Sequence, residues 1–253
     1  MSRWAGKNAM VTGACSGIGA AITAELLRKG VNVIGLDVDE KVIQWLLPKQ
    51  SEAIYCGVRC DVSNETDLEN AFACAENICN GGVDIMVNNA GVIEYTRVIE
   101  SERKAFEKLL NINVLATAEC IKRAVQSMLK RNVEGHIFNI NSVLGHEIPS
   151  GFPSEIDGSN GWNLYPTCKH GTVALTHTVR RELAAIKAPI RITSISPGLV
   201  NTRITKHSPH VSAALKDIPA LEPEDIAEAL MYALNTRSQV QISEITVQRR
   251  GEA

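Results

Sequence analysis

The apolar positions of this chain fall into short runs, and helical patterns lie between them. Seven runs predict strands: Ala9–Val11, Val31–Leu36 ending on Asp37, Ile54–Val58, Val83–Val87, His136–Ile140, Ile190–Ile195 and Val240–Val247. Most are continuous rather than alternating, as in strands covered on both faces. Helical spacing falls near residues 17–29, 40–47, 64–79, 101–131, 165–186 and 223–235. The last follows Glu222-Pro223-Glu224-Asp225, and proline and acids suit a first helical turn. Strand-helix alternation predicts right-handed βαβ units and an α/β fold: a Rossmann-type, doubly wound parallel sheet of seven strands. No linker, low-complexity tract or solenoid repeat interrupts it, so residues 1–253 are expected to form one domain.

Two segments break the alternation, Gly145–Leu164 and Leu199–Leu221. Loops this long in a compact domain are usually functional or disordered. Both leave the carboxyl ends of strands, where open α/β sheets bind ligands. A substrate wall and a lid are expected there. In the second segment, Ile204, Val211, Leu215 and Ile218 suit either an apolar substrate or a helix packed on its own core.

Composition removes several classes. Of the 253 residues, 26 are Lys or Arg and 28 are Asp or Glu, a net charge of −2. Nucleic-acid binding would call for a basic excess. No apolar run approaches the roughly 18–20 residues of a membrane span. Met1 to Lys7 carries no apolar leader, so a cytoplasmic location is expected. The seven cysteines are an odd number in a long chain, and they are expected to be reduced thiols. Cys56/Cys60 and Cys74/Cys79 are spaced CxxxC and CxxxxC without a flanking His. They fit packing better than zinc, and no metal is expected.

Chemistry begins after the first strand, with Thr12-Gly13-Ala14-Cys15-Ser16-Gly17-Ile18-Gly19. Gly13 suits a tight turn, Gly17 a close backbone approach to a phosphate, and Gly19 a helix packed on a strand. The helix N-terminus would then offer N–H groups to a pyrophosphate. Asp37 ends the second strand 18 residues after Gly19. A carboxylate there accepts hydrogen bonds from ribose hydroxyls and repels a 2′-phosphate. Val38 stands where an arginine would favour that phosphate, although Lys41 follows soon after. NAD is therefore expected over NADP.

Tyr165-Pro166-Thr167-Cys168-Lys169 puts a phenol and an amine at i and i+4, on one helix face. A phenol of pKa near 10 is a poor base at neutral pH. A neighbouring ammonium lowers that value, so Tyr165 becomes a candidate proton shuttle for an alcohol/carbonyl pair. His146 and His170 lie near these segments, but no GxSxG elbow surrounds Ser142, which argues against a hydrolase.

Taken in order, the glycine motif, Asn88-Asn89-Ala90-Gly91, Asn113, Ser142, Tyr165/Lys169 and Pro197-Gly198 resemble the single-domain short-chain dehydrogenase/reductase family. The resemblance runs from about Gly6 to Val247. It implies a nicotinamide cofactor and a catalytic set of Asn113, Ser142, Tyr165 and Lys169. Ser142 would hydrogen-bond the substrate oxygen and Tyr165 would move its proton. Lys169 would hold ribose hydroxyls. Asn113 would orient a water reaching Lys169, although by pattern alone it is equally a core or capping amide. Cofactor contacts would come from Gly13, Cys15, Ser16, Gly17, Ile18, Gly19, Asp37, Asp61, Val62, Asn89, Ala90, Gly91, Pro197, Gly198, Val200 and Thr202. Ser142 and Tyr165 lie 23 residues apart, farther than the family usually shows.

Within the family, Arg3-Trp4-Ala5-Gly6, Asn139–His146 and Val240-Gln241-Ile242 resemble a branch of insect farnesol dehydrogenases and a vertebrate 17-beta-hydroxysteroid dehydrogenase/carbonyl reductase. That implies a lipophilic alcohol or carbonyl substrate. The branch commonly uses NADP, from which Asp37-Val38 departs. Helices 101–131 and 165–186 carry apolar positions beyond one core face, and a homodimer or homotetramer is expected. A non-catalytic dinucleotide-binding regulator and a sugar-nucleotide epimerase are the other classes. The intact Asn-Ser-Tyr-Lys set argues against the first. Only Gln248–Ala253 follows the last strand, which leaves no substrate domain for the second.

Overall fold

The computed structural model describes residues 3–41, 52–78, 81–148, 161–205 and 208–251. Its strands are β1 (Asn8–Thr12), β2 (Asn32–Asp37), β3 (Tyr55–Arg59), β4 (Ile85–Asn88), β5 (Gly135–Ile140), β6 (Ile190–Pro197) and β7 (Glu244–Val247). They form one parallel sheet in the order β3-β2-β1-β4-β5-β6-β7. The chain reverses its winding between β1 and β4, and that switch point opens a crevice at the strands' carboxyl ends.

The continuous apolar strands are explained by two cores, one on each face. Ala9, Val11, Val33, Ile85 and Val87 pack against Leu26, Leu27 and Leu230. Their neighbours Met10, Ile34 and Met86 point the other way, against Leu68, Ile121 and Leu183. Alternate side chains thus enter different cores, and both are apolar.

The helices are α1 (Gly17–Arg28), α2 (Glu65–Ile78), α3 (Arg103–Leu110), α4 (Ala116–Arg131), α5 (Tyr165–Ala185), α6 (Pro209–Leu215) and α7 (Pro223–Asn235). Glu222 and Asp225 close a capping box on α7, whose Pro223 sits in the first turn. Two expectations need correction. The helix expected over 101–131 is divided by a π-helical turn at Asn111–Leu115. The strand expected over 240–247 pairs only from Glu244. Before it, Gln241 Nε2 donates to Ile192 O (2.8 Å) and Thr193 Oγ1 to Ile242 O (2.7 Å), so side chains replace the ladder. The segment 199–221 contains α6, with Val211 fully buried, which is the helical alternative read from its apolar positions. Most of the helix expected at 40–47, most of the 145–164 segment and Cys79 lie outside the described residues.

Candidate functional site

The glycine turn is built by close approach. Gly13 and Gly17 have φ of +67° and +51°, in the left-handed region that favours glycine. Gly19 is helical, but a Cβ there would lie 2.1 Å from Gly13 O and 2.5 Å from Asn89 Nδ2. The start of the helix is thus packed on the turn and on Asn89 rather than on a strand. Asn89 buttresses the turn by donating to Thr12 O (2.9 Å) and Gly13 O (3.2 Å). Thr12 Oγ1 accepts from both Asn89 N and Ala90 N at 3.0 Å. Ser16 precedes α1 without a side-chain cap, and no acid occupies the first turn. The positive end of the helix is therefore open to an anion.

This turn forms one wall of a cleft of about 390 Å³, within the range of ligand sites. At one end stands Asp37. Its Oδ2 accepts from Cys15 N (2.9 Å) and its Oδ1 from Asp39 N (3.1 Å), so the carboxylate is fixed beside the glycine turn. Asp61 and Val62 line the same region after β3. Burial and the Asp37 carboxylate push the Cys15 thiol up to about 12, which disfavours its thiolate.

At the other end stand Tyr165 and Lys169, both buried. Ser142 is close enough to Tyr165 to oppose the rise of its phenol pKa. Ser142 sits just beyond β5, and its Oγ accepts from Leu144 N (3.1 Å). Lys169 Nζ donates to Ile140 O (2.8 Å) and lies 5.4 Å from the Tyr165 ring centroid. Burial lowers the Lys169 amine to about 8. Burial, then Tyr95, raises the Tyr165 phenol, and the Ser142 hydroxyl opposes them. Lys169 is not among the causes of the Tyr165 shift: desolvation governs the phenol, and the amine is engaged by a backbone carbonyl.

Of the expected residues, Gly13, Cys15, Ser16, Gly17, Ile18, Asp37, Asp61, Val62, Asn89, Ala90, Gly91, Tyr165, Lys169 and Thr202 line the cleft. Gly19, Asn113, Ser142, Pro197, Gly198 and Val200 are not among its lining residues. Gly198 N donates to Val247 O (2.8 Å), and Val200 pairs with Leu221 and packs on a core. These last residues shape the segment that leads to Thr202. A Cβ on Gly17 would meet Thr202 Cγ2 at 3.0 Å, so that segment closes on the glycine turn.

The sequence model of the short chain dehydrogenase family matches residues 7–212. The chain belongs to the short chain dehydrogenase family. It is an NAD(P)-dependent oxidoreductase acting on CH–OH groups. A farnesol dehydrogenase from Aedes aegypti is 41% identical over 256 residues, covering 100% of this chain and 99% of that one. Dehydrogenase/reductase SDR family member 11 from Mus musculus is 37% identical, over 97% and 95% of the two chains. A closed serine dehydrogenase complexed with NADP+ shares the fold, with a TM-score of 0.84 at 24% identity over 97% and 96%.

Around the site of this dehydrogenase lie residues that sequence reasoning missed or placed only by resemblance. Asn113, in the π turn, is 4% exposed. Its Oδ1 accepts from Val92 N, and its Nδ2 donates to Val92 O and Leu109 O, all at 3.0 Å. A Cβ on Gly91 would meet that Oδ1 at 2.9 Å. The amide side chain thus holds the cleft segment 91–93. Under α5 the cores give way to a polar layer. Asn88 donates to Asn139, and Asn139 to Thr176, both at 2.8 Å. Thr172 donates to Asn141, and Asn141 to Ser194. Beside Tyr165, a third apolar cluster contains Ile93 and Leu144, with Tyr95 and Trp162 packed on it. The two rings lie 5.6 Å apart, tilted by 47°. Asn163, at φ +51°, bonds Thr96 and Ser101 and so ties the Trp162 segment down. Among the described residues no group of three or more His, Cys, Asp and Glu could hold a metal ion.

Proposed function

We propose that this dehydrogenase oxidises a lipophilic alcohol with NAD. The observation that carries the reading is one cleft with two dissimilar ends. At one end Asp37 is fixed beside an open helix N-terminus; at the other the Tyr165 phenol stands near Ser142, with Lys169 beside its ring. The site fits a dinucleotide, because the glycine turn is crowded wherever a Cβ would stand and its helix end is uncapped.

The backbone from Gly13 to Gly19 would hold the pyrophosphate, and Asp37 the adenosine ribose hydroxyls. Asp61 and Val62 would meet the adenine, with Asn89, Ala90 and Gly91 beneath. Pro197, Gly198, Val200 and Thr202 would shape the nicotinamide end. NAD bound there would supply the hydride acceptor, and the positive charge of its oxidised ring would favour a phenolate nearby. Tyr165 Oη takes the proton from the substrate hydroxyl. Ser142 Oγ donates to the substrate oxygen and fixes its position. Lys169 is the cation behind the phenolate. Asn113 keeps the 91–93 segment in place.

The substrate class rests on the apolar wall of Ile93, Leu144, Tyr95 and Trp162 beside Tyr165. Such a wall offers few partners to a polar substrate, and it agrees with the farnesol dehydrogenase relative. The segments 145–164 and 199–221 would complete the substrate side of a one-domain enzyme. An NADP-dependent reductase is the second reading, because Lys41 and Arg203 also line the cleft. Partly exposed Leu110, Leu115, Leu129 and Ile186 support a homodimer or homotetramer, which light scattering would test. No described helix is long and apolar enough to cross a membrane, which agrees with a cytoplasmic enzyme.

Titration with NADH and NADPH, followed by nicotinamide fluorescence, tests the cofactor. Tighter NADH binding supports the Asp37 reading, and a screen of isoprenoid alcohols and hydroxysteroids with NAD follows. Tighter NADPH binding selects the second reading and turns the screen to carbonyl reduction.

A further inference from the structure

Ser142 stands on a turn that something must hold still. The turn is short, Val143–Gly145, and leaves the end of β5. Gly145 N donates to Ser142 O and His146 N to Val143 O, both at 2.9 Å. On the α5 side the turn is wedged by contact: a Cβ on Gly145 would lie 3.0 Å from Lys169 O. On the opposite side the contact is polar and comes from far along the chain. His146 Nε2 lies 2.6 Å from Glu244 Oε1 on β7, 98 residues away, and 3.2 Å from Ser196 Oγ. Ser196 Oγ donates to the same carboxylate oxygen at 2.8 Å.

That oxygen also reaches the residue on the other flank of Ser142. Ser194 Oγ donates to Glu244 Oε1 (3.3 Å) and accepts from Asn141 Nδ2 (2.8 Å). Asn141 and His146 therefore bracket Ser142 in sequence, and both are tied to one carboxylate on the last strand. Ordinary docking of β7 does not require this. The ladder already pairs Ser194 to Pro197 with Glu244 to Val247, and the carboxylate is additional to it.

We propose that His146 and Glu244 are positioning residues: they clamp the turn so that Ser142 Oγ is aimed at Tyr165 and the substrate oxygen. The proposal rests on the role given to Ser142 above. Neither residue is among the lining residues of the cleft, and each acts through Ser142. Misplacing a group near the reacting centre by about 1 Å can cost up to about a hundredfold in rate, so a loosened clamp has room to show.

The test is a double-mutant cycle between His146→Ala and Ser142→Ala, with NAD and farnesol, or the alcohol of the screen that wild type turns over fastest. His146→Ala should lower kcat about tenfold or more. It should leave the NADH dissociation constant within about twofold and Tm within about 4 °C. His146→Gln, whose Nε2 can still donate to Glu244, should restore kcat to within about threefold of wild type. In the Ser142→Ala background, His146→Ala should cost less than about twofold, because coupled residues do not add. Wild-type kcat in His146→Ala overturns the clamp. So does a loss undiminished in the Ser142→Ala background, or one that follows falling Tm and NADH affinity. Equal turnover of wild type and Ser142→Ala overturns the role of Ser142, and this proposal with it. If His146→Ala does not fold, Glu244→Ala removes the same bond from the other strand and carries the cycle.

Discussion

The two ends of the cleft are built by different means. At the Asp37 end, the structure depends on what is missing. Gly13, Gly17 and Gly19 lack side chains where a Cβ would collide, and the N-terminus of α1 lacks a cap. At the Tyr165 end, the structure depends on what is added. Lys169, Asn113 and the polar layer beneath α5 bury groups that elsewhere would lie in water. Those groups are tolerated because each named member has a partner. In the proposed reading the first end recognises the cofactor by shape and backbone, and the second moves a proton through a buried phenol, with Lys169 and the cofactor charge acting against its desolvation. Changes at the first should therefore alter cofactor affinity, and changes at the second should alter turnover.

The largest expected effect at the first end comes from Gly19→Ala. Its Cβ would sit 2.1 Å from Gly13 O, and backbone must shift to admit it. NADH affinity should fall by about a hundredfold or more, or the protein should be destabilised by over about 3 kcal/mol as in severe overpacking. Fluorescence titration and chemical denaturation distinguish these, and wild-type behaviour in both would break the contrast.

Asp37→Ser sharpens the comparison at the same end. Removing the carboxylate removes the repulsion of a 2′-phosphate and about one charged hydrogen bond, worth roughly 1.5–3 kcal/mol. The ratio of NADPH to NADH dissociation constants should drop about tenfold or more. An unchanged ratio would sink the ribose role.

A group remote from both ends supplies a smaller effect. His136 is buried at the start of β5, where Nε2 meets Thr193 Oγ1 at 2.8 Å. Burial, helped by Arg191 and Arg3, holds its pKa well below the ordinary value. The unfolded chain then binds the extra proton below about pH 6.5, so stability is full above that pH and falls as pH drops. The slope from this group is about 1.4 kcal/mol per pH unit. Denaturation midpoints between pH 7.5 and 5 should show it, and His136→Gln should flatten it without changing NADH affinity at pH 7.5.

The difference between the ends also explains what the sequence made legible. The glycine turn, Asp37 and the Tyr165/Lys169 pair are local patterns, each within a few residues of a strand end or helix start. The sheet was legible for the same reason, because its strands are apolar toward two cores. The polar layer was not. Asn139 and Asn141 fall in or beside a strand run that pattern treats as core, and their partners Thr176 and Ser194 lie 37 and 53 residues away. The π turn at Asn113 interrupts a periodicity that is helical on both sides. The wall of Tyr95 and Trp162 joins two loops with no shared spacing. The Tyr165 pKa ran against the i, i+4 argument, because burial is a property of the packed protein.

The central claim is that Tyr165 moves the proton while the other end holds the cofactor. Replacing Tyr165 with Phe and measuring turnover and NADH affinity on the same sample tests it most directly. The account predicts that kcat falls by about 10²–10⁴-fold while the NADH dissociation constant stays within about threefold. Turnover within tenfold of wild type would contradict it.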